Sequence, residues 1–352
     1  MAIMISRIFV GLIVAALSTC LAFAQPSNRV TLNLDGSEAE AVLVIRDKRA
    51  LQEGVTDADW QRVFATTPYR RLKQHEASMP QPFTDQEFIK FVDTLDASRE
   101  QLRQVLRQCQ SVDLQAVVQR SLAYLPPQAT IRAEVYPMID ARPISFVCEP
   151  DAPAPAIFLY VDPKTKTREQ LENTFAHEAH HLGLASVQAV YKREISSLPE
   201  NARKAAWWMG NFREGTAVLA AAGSPEVHPM SVFPEPIQRT WDLEAEHFAD
   251  NLDELNQFFL DTVHGDLRND AVLHESRVFF GNGVGPWYTV GYRMAVTIER
   301  EFGRTALVAT YNDPRQFVAR YNEAAEAENA KYGGNLPLFS AGILKAVDGE
   351  HR

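Results

Sequence analysis

Apolar and polar residues alternate over 29–34, which predicts a short strand; the pattern then changes to helical spacing. After Thr84-Asp85-Gln86-Glu87, a capping-box sequence, the apolar positions Phe88, Ile89, Phe91, Val92 and Leu95 recur as one face of a helix. Further helical pattern covers 102–106 and 114–125, and Pro126-Pro127 stops it, because proline cannot donate to the helix ladder. The texture then shifts. Segments 129–135 and 156–161 read as strands, the second being Ala-Ile-Phe-Leu-Tyr-Val, rich in β-formers. Between them lies the proline-rich connection 149–155. A second capping box, Thr167-Arg168-Glu169-Gln170, opens a helix that runs through Leu171 and Phe175 to His181. From Pro199 onward the chain reads helical, over 201–222 (ended by Gly223), 237–263, 271–280, 288–302 (closed by Gly303) and 314–327.

These elements predict an α+β, predominantly helical fold, with a small sheet next to the helix that follows Thr167 and a helical C-terminal part. We divide the chain into residues 1–24, a helical N-terminal subdomain over 25–128, and a metal-binding domain over 129–352. The first segment is a signal peptide: Arg7 is a positive n-region, 8–21 an apolar h-region, and Ala22-Phe23-Ala24 a small-x-small cleavage site. Its apolar run is shorter than the roughly 20 residues that span a bilayer. Lipidation at Cys20 is disfavoured by Thr19 before it and by the apolar run continuing past it. The expected location is therefore periplasmic or secreted, with no membrane span after cleavage. A net charge of −10 removes the electrostatic case for nucleic-acid binding. After cleavage Cys109 and Cys148 remain, either as one disulfide or as two buried thiols, and no CxxC spacing offers a cysteine metal site.

The chemistry lies in His177-Glu178-Ala179-His180-His181. At 3.6 residues per turn, His177 and His181 project from one helix face, so both rings reach one divalent ion. Glu178 is placed to meet a water on that ion, the HExxH arrangement of zinc peptidases with glutamate as general base. His180 lacks the i,i+4 relation and is expected to bond a neighbour instead. A catalytic zinc usually has three protein ligands. A third histidine in the extended HExxHxxGxxH pattern is excluded, because Leu184 and Val187 stand at the required positions. Glu214, on a later helix, is the leading third ligand, ahead of Glu244, Glu246 and His247. The small residues Gly215, Ala217, Ala220, Ala221 and Ala222 predict close packing of that helix on the metal helix. Glycine inside a helix costs about 1 kcal/mol relative to alanine, so Gly215 points to a steric need.

On these residues the chain resembles the gluzincin branch of zinc metallopeptidases. More closely it resembles a bacterial family of uncharacterised zinc-dependent peptidases with HExxH, a helix bearing Glu-Gly-x-Ala (Glu214-Gly215-Thr216-Ala217) and a tyrosine-containing helix. The similarity covers 156–321, and Gly183 departs from it, suggesting that the metal helix ends or bends soon after His181. The resemblance implies a zincin-like metal domain, one Zn2+ per chain held by His177, His181 and Glu214, and hydrolysis of a peptide or protein substrate by a zinc-activated water with Glu178 as base. It also implies a donor for the developing oxyanion: Tyr292 ahead of its helical neighbour Tyr288, with His274 a further candidate. Asp250 and Asn251 are candidate partners of the ligand imidazoles. Trp207 and Trp208 are expected in the core rather than in a cleft. Two other readings stand beside this one: a periplasmic binding or structural protein with a non-catalytic zinc site, and a zinc hydrolase acting on a non-peptide amide.

Overall fold

The computed structural model describes residues 29–348 apart from 80, 96–98, 141, 143, 162–166 and 268; the expected signal peptide lies outside the described residues. The elements run β1 (Val30–Leu34), α1 (Ser37–Ala50), α2 (Asp57–Phe64), α3 (Thr67–Glu76), α4 (Asp85–Thr94), α5 (Arg99–Ser111), α6 (Leu114–Ala123), β2 (Ile131–Met138), β3 (Phe146–Cys148), β4 (Ala156–Tyr160) and α7 (Arg168–Ala185). There follow α8 (Ala189–Ser196), α9 (Glu200–Met209), α10 (Arg213–Ala222), α11 (Glu235–Glu246), α12 (Phe248–His264), α13 (Asn269–Val278), α14 (Pro286–Phe302), α15 (Arg304–Ala309), α16 (Pro314–Tyr332) and α17 (Ala341–Asp348). The fold is α+β and predominantly helical, as its hydrophobic patterning predicts. No helix among the described residues is long and apolar enough to cross a membrane.

The sheet order is β1-β2-β4-β3, with β1, β2 and β4 parallel and β3 antiparallel to β4. Period-two alternation divides its side chains between two faces. Ile131, Ala133, Val135, Ile157 and Leu159 join the main core with α6, α7 and the C-terminal helices. Tyr136, Met138, Ala156 and Phe158 point the other way, against Leu72 of α3 and Cys148. Both faces are covered, the usual condition for parallel strands. Helices α1–α5 close a further cluster that reaches Ile139, Val161 and Leu171. Cys109 and Cys148 are buried in different clusters and are not bonded to each other.

Both expected capping boxes form. Thr84 N–H donates to Glu87 Oε2 at 2.7 Å, and Thr167 N–H donates to Gln170 Oε1 at 2.8 Å. Three departures bear on the site. Segment 201–222 is two helices joined by a 3-10 turn at Gly210–Phe212, so Arg213 and Glu214 begin a helix instead of lying within one. Segment 237–263 breaks at His247, whose backbone (φ −84, ψ 18) sits in the bridge region. The third is β3, which pairs Phe146–Cys148 with Phe158–Ala156 and so makes 149–155 a hairpin connection.

Trp287 anchors the start of α14. Its indole is fully buried among Phe212, Phe258, Phe259 and Phe279, and Nε1–H donates to the Ser276 carbonyl at 2.9 Å. A large aromatic with its one donor satisfied inside the core fixes a helix end firmly. The next residue is Tyr288.

Candidate metal centre

Helix α7 carries His177 and His181 on one face, and α10 brings Glu214 to them. Nε2 of His181 lies 3.0 Å from Nε2 of His177 and 3.1 Å from Glu214 Oε2; His177 Nε2 is 3.4 Å from the same oxygen. The three form a group of ligand atoms fit to hold a metal ion. Ligands at about 2.0–2.1 Å from a tetrahedral zinc are roughly 3.3 Å from each other, close to all three separations. Two neutral imidazoles and one carboxylate also match the donor set that zinc takes in catalytic sites.

Electrostatics favour the ligating form of Glu214. Burial alone would push its carboxyl up, but His181 and His177 outweigh burial and hold it well below the usual carboxylate range. For His177 burial disfavours the charged ring, yet the hydrogen bond to Glu214 and the charges of Glu178 and Glu214 raise its pKa.

Gly215 does mark a close approach, but the partner is α14 instead of α7. A Cβ at Gly215 would sit 2.0 Å from Tyr292 N and 2.6 Å from Gly291 Cα, and one at Gly291 would sit 2.8 Å from the Phe212 carbonyl oxygen. Two glycines facing each other let the helix backbones touch, and Glu214 and Tyr288 from these two helices both line the same cleft. Gly183 has a packing role too. A Cβ there would meet Leu125 Cδ1 at 2.3 Å and Ile131 Cγ1 at 3.2 Å, and the metal helix continues to Ala185 without ending at the glycine.

The metal group opens into a cleft of about 270 Å³ lined by Glu178, Tyr288, Arg213 and Ala185, with Ser145, Phe146, Val147 and Pro150 of the β3 segment opposite. Glu178 is buried. Tyr288 lies over the site, its ring nearly parallel to that of His177 at 6.3 Å. Burial, the charges of Glu214 and Glu178, and a hydrogen bond to Glu214 all push the Tyr288 phenol up, so it stays a proton donor. Tyr292, ranked ahead of it from the sequence, lies one turn further along, beyond the glycine crossing. It packs edge-on against Trp241 at 5.5 Å and is not among the residues lining the cleft. The four-residue step from Tyr288 to Tyr292 spans about 6 Å of helix, enough to put them on opposite sides of the crossing.

His180 points away from the group. Its Nε2 lies 3.1 Å from the Tyr124 carbonyl oxygen, so it is the protonated nitrogen, and burial lowers the ring's pKa to about 3. Glu244, Glu246, His247 and His274 are outside both the ligand group and the cleft. Asp250 lies 3.8 Å from His247, and Asn251 donates to the Glu244 carbonyl at 3.3 Å, so neither supports a ligand imidazole. The Nδ1 of His181 is buried with no hydrogen-bond partner among the described residues. Trp208 packs against the main core as expected, whereas Trp207 is 58% exposed, and neither lines the cleft. Neither the β3 wall nor the place of Arg213 in the cleft has a signal of its own in the sequence pattern.

A family model described as "Putative zinc dependent peptidase (DUF5700)" matches residues 60–330, most of the chain, and the chain belongs to that family. The match begins well before the motif-bearing span and takes in helices α3–α6. No curated protein and no solved structure matches the chain.

Proposed function

We propose, with membership of this zinc-dependent peptidase family as the premise, that the chain is an exported metallopeptidase. In this reading His177, His181 and Glu214 hold one zinc ion, Glu178 is the general base and Tyr288 is the oxyanion donor. The observation that carries the reading is the convergence of the three ligand atoms within 3.4 Å of each other, in a cleft that also contains Glu178 and Tyr288. The zinc would supply Lewis acidity toward a water and the scissile carbonyl. The Glu178 carboxylate takes the water proton and returns it to the leaving amine. The Tyr288 hydroxyl, kept protonated by its surroundings, donates to the carbonyl oxygen as it gains charge.

The β3 wall supports a peptide as substrate. Among the described strands β3 is an outer one, so the side of its backbone turned away from β4 pairs with no described strand, and an extended chain would add there as a further strand. Its flanking residue Ser145 and its own Phe146 and Val147 line the same cleft as the metal group.

The test is metal analysis of the purified mature protein together with cleavage of a peptide library. One zinc per chain is expected. Glu214→Ala should weaken zinc binding on the order of 10²-fold or more, since losing a partner outside the ligand set already costs 10–100-fold. Unchanged zinc affinity in that variant would move the third ligand elsewhere. Tyr288→Phe should lower kcat on the order of 10²-fold with zinc content unchanged. Tyr292→Phe should leave kcat near wild type, and the opposite ranking of these two variants would refute the role given to Tyr288.

A further inference from the structure

We propose that Arg213 is a specificity-determining residue that holds a carboxylate of the substrate next to the scissile bond; this rests on the peptidase reading above. Arg213 is the one cationic side chain among the described residues lining the cleft. It starts α10 directly before Glu214, so the backbone that places the ligand also places the guanidinium at the cleft wall.

The guanidinium is not used up by the fold. Its side chain is 51% exposed, and the one ion pair it makes among the described residues is a 3.8 Å approach of Nε to Glu214 Oε1, too long for a hydrogen bond. That contact involves the oxygen turned away from the histidines, since both imidazoles approach Oε2. Arg315 shows how a structural arginine of this chain differs. It is 12% exposed and bonds Asp313, Glu194 and the Val347 carbonyl.

Charge balance gives the chemistry of the ligand. The carboxyl and guanidinium side chains lining the cleft are those of Glu178, Glu214 and Arg213. A divalent ion held by the ligand group would balance the two carboxylates, leaving the guanidinium as the uncompensated charge. A planar fork with free N–H donors facing a partly enclosed cleft suits a carboxylate, which it can bind bidentately. Two sources offer that group: the free C-terminus of a peptide cut near its end, or an Asp or Glu side chain beside the cleaved bond.

The experiment uses the zinc-loaded full chain and three matched peptides: one with a free C-terminal carboxylate, its C-terminal amide, and an amide carrying an internal glutamate near the bond. Wild type is expected to favour one carboxylate peptide over the plain amide by about 10- to 100-fold in kcat/KM, and the favoured one identifies the source. Arg213→Gln should remove that preference mainly through KM, the loss on the favoured carboxylate peptide exceeding any loss on the plain amide. Arg213→Lys should restore part of it, since lysine keeps the charge but not the fork. No preference in wild type, or an equal loss on all three peptides in Arg213→Gln, overturns the proposal. Calorimetric binding of the same peptides to Glu178→Gln protein, with and without Arg213→Gln, reads the same preference without turnover. If no peptide is cleaved by wild type the peptidase reading fails, and this binding arm still decides whether Arg213 selects a carboxylate.

Discussion

Glu178→Gln is expected to lower kcat/KM on every cleaved peptide by about 10²- to 10⁴-fold while leaving zinc bound at one per chain. The substitution keeps the size of the side chain and removes only its ability to accept a proton. Glu178 lies outside the group of converging ligand atoms, so the metal should not notice the change. Its carboxyl is buried at the cleft beside His177, one position along the same helix, where it can meet a water without competing for the ion. The amide is neutral and cannot take the water proton, so whatever rate remains comes from binding and from the Tyr288 donor. Zinc stoichiometry by elemental analysis and steady-state kinetics on one peptide decide the matter. Full activity with zinc bound would sink the role of Glu178. Parallel loss of zinc and activity would instead make it a contributor to the metal site.

Features encoded by local spacing are legible in the sequence. The i,i+4 relation of His177 and His181 puts both imidazoles on one face of any regular helix, and the Thr167 and Thr84 capping boxes need only four residues each. Glu214 comes to the same point from a later helix, a position that local spacing alone does not fix. Features decided by tertiary contacts are not legible there. Tyr288 and Tyr292 are one turn apart and locally equivalent; only the crossing at Gly215 and Gly291 decides which of them faces the metal group. Strand β3 is three residues long and shows no alternation to detect, although it walls the cleft. The helix breaks at Gly210–Phe212 and at His247 lack a proline, so the apolar periodicity runs through them. Gly215 lies between these cases. Its cost inside a helix signals a close approach, but the sequence cannot say which helix comes close.

That close approach carries the second large effect. Gly215→Ala is expected to destabilise the protein by at least ~3 kcal/mol, at or beyond the upper end of ordinary overpacking, and to weaken zinc binding at the same time. The new methyl would sit 2.0 Å from Tyr292 N and 2.2 Å from the Gly291 carbonyl carbon. Both are helix backbone atoms with no rotamer to change, so α10 and α14 must separate. Glu214 is the adjacent residue and moves with α10, while His177 and His181 stay on α7. A shift of a few tenths of an ångström or more then spoils the mutual spacing of the three ligand atoms. Gly210→Ala is the matched control. A Cβ there meets nothing within 4 Å, and its backbone (φ −57, ψ −19) is already helical. The same chemical change should therefore be neutral or stabilise by up to ~1 kcal/mol, by reducing the freedom of the unfolded chain. Urea midpoints of the two apo variants measure the stability difference, and zinc titration measures its consequence at the site. If Gly215→Ala is too unstable to purify while Gly210→Ala is soluble, the same ordering is read from the soluble fraction. Wild-type stability and wild-type zinc affinity in Gly215→Ala would mean that α10 and α14 can separate without moving Glu214, and that the glycine contact does not position the metal group.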